Sequence, residues 1–78
     1  MNYYQRLRDL REDHDLTQID IAQMLFTSQA AYSRYELGRQ MMGIDKYITL
    51  AKYYNVSLDY LAGIVDEPRP IYKSARKT

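Results

Sequence analysis

The chain has 78 residues, with 11 Lys+Arg against 10 Asp+Glu and a formal net charge of +1. That length holds one small domain, and a hydrophobic content of 46% argues against wholesale disorder. The near-neutral balance excludes a uniformly basic coat for nucleic acid but leaves room for a local basic face.

Other classes fall away in turn. There is no cysteine, hence no disulfide framework and no thiolate zinc site. His14 is the single histidine, so neither a His-pair metal site nor a His-based catalytic relay is expected, and no cofactor. The first residues, Met1 to Arg6, lack the apolar core of a signal peptide, and no apolar run approaches a membrane span. A soluble cytoplasmic protein is expected, with no membrane partner.

Both prolines, Pro68 and Pro70, lie near the C-terminus, and no β-type alternation is sustained before them. The spacing of Tyr4, Leu7 and Leu10 predicts a first helix over about Tyr3 to Asp13. It closes in the charged run Glu12, Asp13, His14, Asp15. Thr17 is a good N-cap for a second helix, with Asp20 at the capping-box position and Leu16 and Ile21 able to form a staple. Ile21, Ala22, Met24 and Leu25 then face inward. Thr27 and Ser28 cap a third helix, Gln29 to Leu37, with Tyr32 and Tyr35 inside, and Gly38 is suited to a left-handed stop. After a loop from Arg39 to Gly43, a fourth helix is expected over Ile44 to Tyr54. Its apolar stripe reads Ile44, Tyr47, Ile48, Ala51 and Tyr54, and Asn55 ends it. Ser57 caps a short fifth helix carrying Leu58, Leu61 and Ala62, which Gly63 stops.

The predicted organisation is all-α: a compact five-helix domain over residues 1–65, then a basic, extended tail over 66–78. Residues 1–68 carry a net −3, whereas Arg69, Lys73, Arg76 and Lys77 give the last ten residues +4. An acidic globule and a basic tail are hidden in the total.

The second and third helices are short, capped and joined by a tight turn, the pattern in which the second of a pair enters the DNA major groove. A plain helical hairpin has the same periodicity. The residues carry more. Asp15-Leu-Thr-Gln-Ile-Asp-Ile-Ala-Gln-Met-Leu25, then Thr27-Ser-Gln-Ala-Ala-Tyr-Ser-Arg-Tyr-Glu-Leu-Gly38, resemble the phage-repressor and Cro-like helix-turn-helix family, the XRE-type regulators. Leu50-Ala-Lys-Tyr-Tyr-Asn-Val-Ser-Leu-Asp-Tyr-Leu-Ala-Gly63 is similar to that family's fourth and fifth helices.

The resemblance implies a lambda-repressor-like fold that binds double-stranded DNA and regulates transcription, as a repressor. It implies that Gln18 touches a phosphate and braces Gln29, the first residue of the reading helix. It also implies a structural ion pair between Arg11 and Glu36. On physical grounds a carboxamide such as Gln29 pairs two-pronged with adenine, Arg34 does so with guanine, and Ala30 meets a thymine methyl. Gln29, Ala30, Ser33 and Arg34 are therefore the candidate base readers. Gln18, Thr27, Ser28, Arg39 and Lys46 are candidate phosphate contacts, with Arg39 or Gln40 placed to reach a minor groove. Two positions depart from the family: Phe26 stands where Gly or Asn is usual, and Gly43 where Pro is frequent. A bulky residue at positive φ is strained, so either the turn differs or burial of Phe26 offsets the strain.

Bland readings compete at each position. Gln29, Ser33 and Arg34 also fit a solvated helix face, and the tyrosines fit core packing better than base stacking. His14 and the acids Asp9, Glu12, Asp13 and Asp15 read as a solvated helix end. The expected partner is double-stranded DNA, met by a homodimer through Leu58, Tyr60, Leu61, Ile64 and Val65, with no small-molecule effector. The rival reading is an antitoxin of the same fold that binds a toxin partner and autoregulates its operon. An enzyme is not expected, because no nucleophile–base pair or metal cluster can be assembled.

Overall fold

The computed structural model describes residues 2–67. Five helices follow in order: α1 Tyr3–Asp13, α2 Gln18–Met24, α3 Gln29–Glu36, α4 Ile44–Tyr54 and α5 Leu58–Leu61. Among the described residues there is no strand, and no helix is long and apolar enough to cross a membrane. The all-α, five-helix expectation holds. Arg69, Lys73, Arg76 and Lys77 of the basic tail lie outside the described residues.

Short polar side chains start four of the helices by satisfying an otherwise orphaned backbone N–H. Asn2 Oδ1 accepts from the Gln5 amide at 2.8 Å. Thr17 and Asp20 form a reciprocal capping box at 3.1 and 2.9 Å. Ser28 accepts from Ala31 and Ser57 from Tyr60. Gly43 precedes α4 with no side-chain cap.

All five helices end by one geometry. A residue at the helix end adopts left-handed φ, just past the C-cap at Asp15 (57°), Phe26 (56°), Gly38 (73°) and Gly63 (81°) and at the C-cap itself at Asn55 (56°). After α2, for example, the Phe26 amide donates to the Gln23 carbonyl at 3.2 Å and the Thr27 amide to Ala22 at 2.9 Å. That bond pair is the Schellman closure, and it demands φ > 0 at its pivot. Left-handed backbone at Asp15 was not foreseen from the sequence.

The core is built from Leu7 and Leu10 of α1, Ile21 and Ala22 of α2, Leu25, Tyr32 and Tyr35 of α3, Leu50, Ala51 and Tyr54 of α4, Met42, Val56, and Leu61 of α5. Two sequence expectations shift here. On α4 the buried stripe is Leu50, Ala51 and Tyr54, with Tyr47 half-buried, whereas Ile44 and Ile48 are exposed. Positions 47, 50, 51 and 54 follow the i, i+3, i+4, i+7 rule. Ile44 shares the phase but lies a turn beyond the cover of the core. The second shift concerns Leu61, which was assigned to a dimer surface. It is fully buried within the single chain, so it is withdrawn from the contact set.

An unforeseen tether closes the domain. Arg6, 4% exposed, donates to the Tyr60 and Val65 carbonyls at 2.8 and 3.3 Å. It pairs with Asp66 at 3.2 Å and lies 3.9 Å above the Tyr60 ring. The segment after α5 is thereby tied to α1.

Candidate nucleic-acid interface

α2 and α3 pack against each other, and each begins with a glutamine. A chain of side-chain hydrogen bonds links them. Gln29 Nε2 donates to Gln18 Oε1 at 2.7 Å, and Gln18 Nε2 donates to Glu36 Oε1 at 3.1 Å. Arg11 grips the same carboxylate with Nε on Oε2 at 2.7 Å and Nη2 on Oε1 at 3.1 Å. Its remaining nitrogen, Nη1, donates to the Leu16 carbonyl at 2.8 Å. One guanidinium thus joins α1, the turn before α2, and the end of α3.

This pair is largely dry, with the Arg11 and Glu36 side chains 13% and 3% exposed. Burial by itself raises the Glu36 carboxyl. The bonds from Arg11 and Gln18, with the Tyr32 phenol close by, outweigh it and hold the group below the ordinary carboxylate range. The bond to Glu36 in turn raises the Arg11 guanidinium despite its partial burial. Burial, with Glu36 alongside, pushes the Tyr32 phenol well above the ordinary tyrosine value. The Arg11–Glu36 pair expected from the resemblance is present, and so is the bracing of Gln29 by Gln18. The bond from Gln18 onward to Glu36 was missed, because spacing in the sequence says nothing of which amide edge meets a carboxylate.

Of the expected base readers, Gln29, Ala30 and Arg34 are exposed and Ser33 is half-buried on α3. Arg34 Nε donates to Gln40 Oε1 at 2.9 Å, so the loop after α3 steadies the arginine. Its two terminal nitrogens are what remain for a two-pronged pair. Gln40, named with Arg39 as a candidate for a minor groove, is exposed and accepts from Arg34. Among the expected phosphate contacts, Ser28 and Arg39 are exposed, while Gln18, Thr27 and Lys46 are half-buried. The Ser28 hydroxyl accepts from the Ala31 amide at 3.0 Å, which leaves its proton free to donate to an anion.

Phe26 resolves the alternatives left at the turn. The turn does use positive φ, and Phe26 is 96% exposed, so burial does not offset the strain. Of the residues expected at a dimer contact, Leu58, Ile64 and Val65 are exposed and Tyr60 is half-buried beneath Arg6. His14 is exposed and lies beside the Tyr54 ring at 4.8 Å, with Nδ1 2.8 Å from the Leu10 carbonyl.

The chain is similar to known regulators. A family model described as Helix-turn-helix (HTH_3) matches residues 7–61. The HTH-type transcriptional regulator YobD of Bacillus subtilis (strain 168) is 40% identical over 68 residues, 87% of this chain and 61% of YobD. The HTH-type transcriptional activator BcrR of Enterococcus faecalis is 30% identical over 61 residues, 78% of this chain and 30% of BcrR. A crystal structure of a transcriptional regulator from Listeria innocua superposes with a TM-score of 0.79 at 32% identity, covering 85% of this chain and 62% of that one. The chain therefore spans about three fifths of the length of YobD and of the Listeria protein. With its capped α2–α3 pair, braced glutamines and matched family model, the chain belongs to the XRE-type helix-turn-helix family of transcriptional regulators.

Proposed function

We propose that the chain binds double-stranded DNA sequence-specifically and regulates transcription, with α3 lying in the major groove. Gln29, Ala30, Ser33 and Arg34 read base edges. Gln18, Thr27, Ser28, Arg39 and Lys46 hold phosphates and set the register. The observation that carries this reading is the bonded series Gln29–Gln18–Glu36–Arg11, which fixes the first residue of α3 from inside the domain. A glutamine serving only as a solvated helix residue has no need of such anchoring.

A homodimer on a two-fold operator completes the proposal, with half-sites about 34 Å apart. Its contact surface is Leu58, Tyr60, Ile64 and Val65. The Lys/Arg-bearing tail adds phosphate contacts, and the protein works in the cytoplasm without a small-molecule effector. Repression by occupying a promoter is the mode proposed. The toxin-binding alternative rests on the tail, whose residues 68–78 lie outside the described residues.

Selection of bound sequences from a random duplex pool tests the proposal. Two related half-sites at the stated spacing are expected, and recovery of no preferred sequence refutes specific reading. On the selected site, Arg34→Ala should cost about 1–3 kcal/mol and relax one base preference. Lys46→Ala should weaken all duplexes alike and flatten the salt slope. Equal, sequence-blind losses from both would remove Arg34 from the readers.

A further inference from the structure

We propose that Glu36 is a positioning residue for base reading: because its carboxylate only accepts hydrogen bonds, it fixes which way the Gln18 and Gln29 amides face, and so commits Gln29 to adenine over guanine. The inference rests on the duplex-reading role proposed above and names the group that directs it.

A glutamine amide offers an accepting oxygen on one side and a donating NH2 on the other, and a half-turn exchanges them. A neighbour that both donates and accepts tolerates either orientation. An ionised carboxylate tolerates one. Glu36 is held by two arginine donors, Nε at 2.7 Å and Nη2 at 3.1 Å, and its carboxyl lies below the ordinary range because these bonds and that from Gln18 outweigh burial. Gln18 must therefore turn its Nε2 toward Glu36, as it does at 3.1 Å. The Gln18 oxygen then faces α3, and Gln29 must answer with its own Nε2, at 2.7 Å.

One of the two Gln29 amide protons is now spent. What remains at the head of α3 is one N–H and one carbonyl oxygen. In the major groove adenine presents one acceptor, N7, and one donor, the N6 amino group; guanine presents two acceptors, N7 and O6. The remaining pair of Gln29 matches adenine. Were the chain reversed, Gln29 would give its oxygen to Gln18 and keep both protons, the match for guanine. Reversal requires residue 36 to donate, which a carboxylate cannot do and an amide can.

The test compares wild type, Glu36→Gln and the double variant Gln18→Glu with Glu36→Gln. Each is first shown to be folded by a cooperative melt. Affinities are then measured on paired duplexes that differ only by A or G at one base. That base is the one whose preference is lost in Gln29→Ala. Wild type should favour A by about ten-fold or more. Glu36→Gln should shrink that ratio at least about three-fold while preferences elsewhere in the site persist. The double variant keeps the net charge and moves the acceptor-only group to position 18, so it should prefer A again even if all affinities fall. Should Glu36→Gln alone fail to fold, this arm keeps the proposal falsifiable, because a folded double variant without the A preference overturns it. A purely structural Glu36 would weaken A and G duplexes equally, and an unchanged ratio overturns the proposal, as does a double variant without the A preference. If wild type selects no duplex, the duplex-reading role itself fails; selection with an unchanged ratio removes only the role of Glu36.

Discussion

The two ends of α3 close the same kind of turn in opposite surroundings. Before the helix, Phe26 takes φ 56° and is 96% exposed; after it, Gly38 takes φ 73° with the Tyr4 ring directly above its Cα. The N-terminal end carries exposed Gln29 and Ala30, while the C-terminal end is clasped by the buried Arg11–Glu36 pair. One end is held in the core, and the other, braced only through the Gln29–Gln18 bond, is offered to solvent. Specific recognition needs that division: a reading residue is useful only on an element whose rotation and translation are set elsewhere. The comparison implies that substitutions at the clasped end damage folding, and that those at the open end act chiefly through the backbone and are small.

The largest loss should come from Arg11→Ala. Removing the guanidinium leaves Glu36 buried with its two strongest donors gone and the Leu16 carbonyl short of a partner. A cost of about 3 kcal/mol is expected from urea denaturation at pH 7. The same pair predicts an acid limb. Since the folded Glu36 carboxyl lies below its unfolded value, the stability it contributes is fully present above about pH 4.3, the ordinary glutamate value. It is lost as pH falls through the lower folded value. Wild type should therefore lose stability below that point, and Arg11→Ala, already deprived of the pair, should lose less over the same interval. Parallel pH profiles would show that the acid limb arises elsewhere.

Gly38→Ala should be the next most harmful. A Cβ at this position would stand 2.8 Å from Cδ1 and Cε1 of Tyr4, so the ring has to move, and left-handed backbone adds roughly 1–2 kcal/mol for a residue with a Cβ. A loss of about 2 kcal/mol in thermal or urea melts is expected. Combining it with Tyr4→Ala separates the two causes. If the steric part is real, the double variant loses less than the two single losses added together.

Helix caps and left-handed pivots were the most legible features in the sequence, for a physical reason. Gly38, Asn55 and the caps Thr17, Ser28 and Ser57 announce themselves because few residue types satisfy a left-handed pivot or an orphaned amide. The Arg11–Glu36 pair came through the resemblance, since residues so far apart in the chain show no local signal. What stayed hidden depends on where a periodic stripe meets the rest of the molecule. Ile44 has the right phase on α4 yet projects past the core, and Leu61 sits inside it. Arg6 was hidden too, because two of its partners are backbone carbonyls at Tyr60 and Val65, which every residue has, and its side-chain partners Tyr60 and Asp66 lie far along the chain. Around the candidate readers, the bracing of Gln29 by Gln18 was legible through the resemblance, but the onward bond of Gln18 to Glu36 and that of Arg34 to Gln40 were not.

Phe26 gives the smallest effect and the sharpest contrast, because its sign is reversed. The side chain contributes almost no burial, so deleting it forfeits almost no packing. Its backbone must stay left-handed to complete the closing bonds of Phe26 to Gln23 and Thr27 to Ala22. Asparagine tolerates that region at lower cost, and without the added chain entropy that glycine brings to the unfolded state. Phe26→Asn should accordingly raise stability by about 0.5–1 kcal/mol, read as a higher Tm. Phe26→Gly should gain less than Phe26→Asn, because the entropy term opposes the relief of strain. Phe26→Val, β-branched and equally exposed, should be worse than the native residue. A destabilised Phe26→Asn would mean that the ring makes an interaction its exposure does not account for, and the two ends of α3 would then be less different than their surroundings imply.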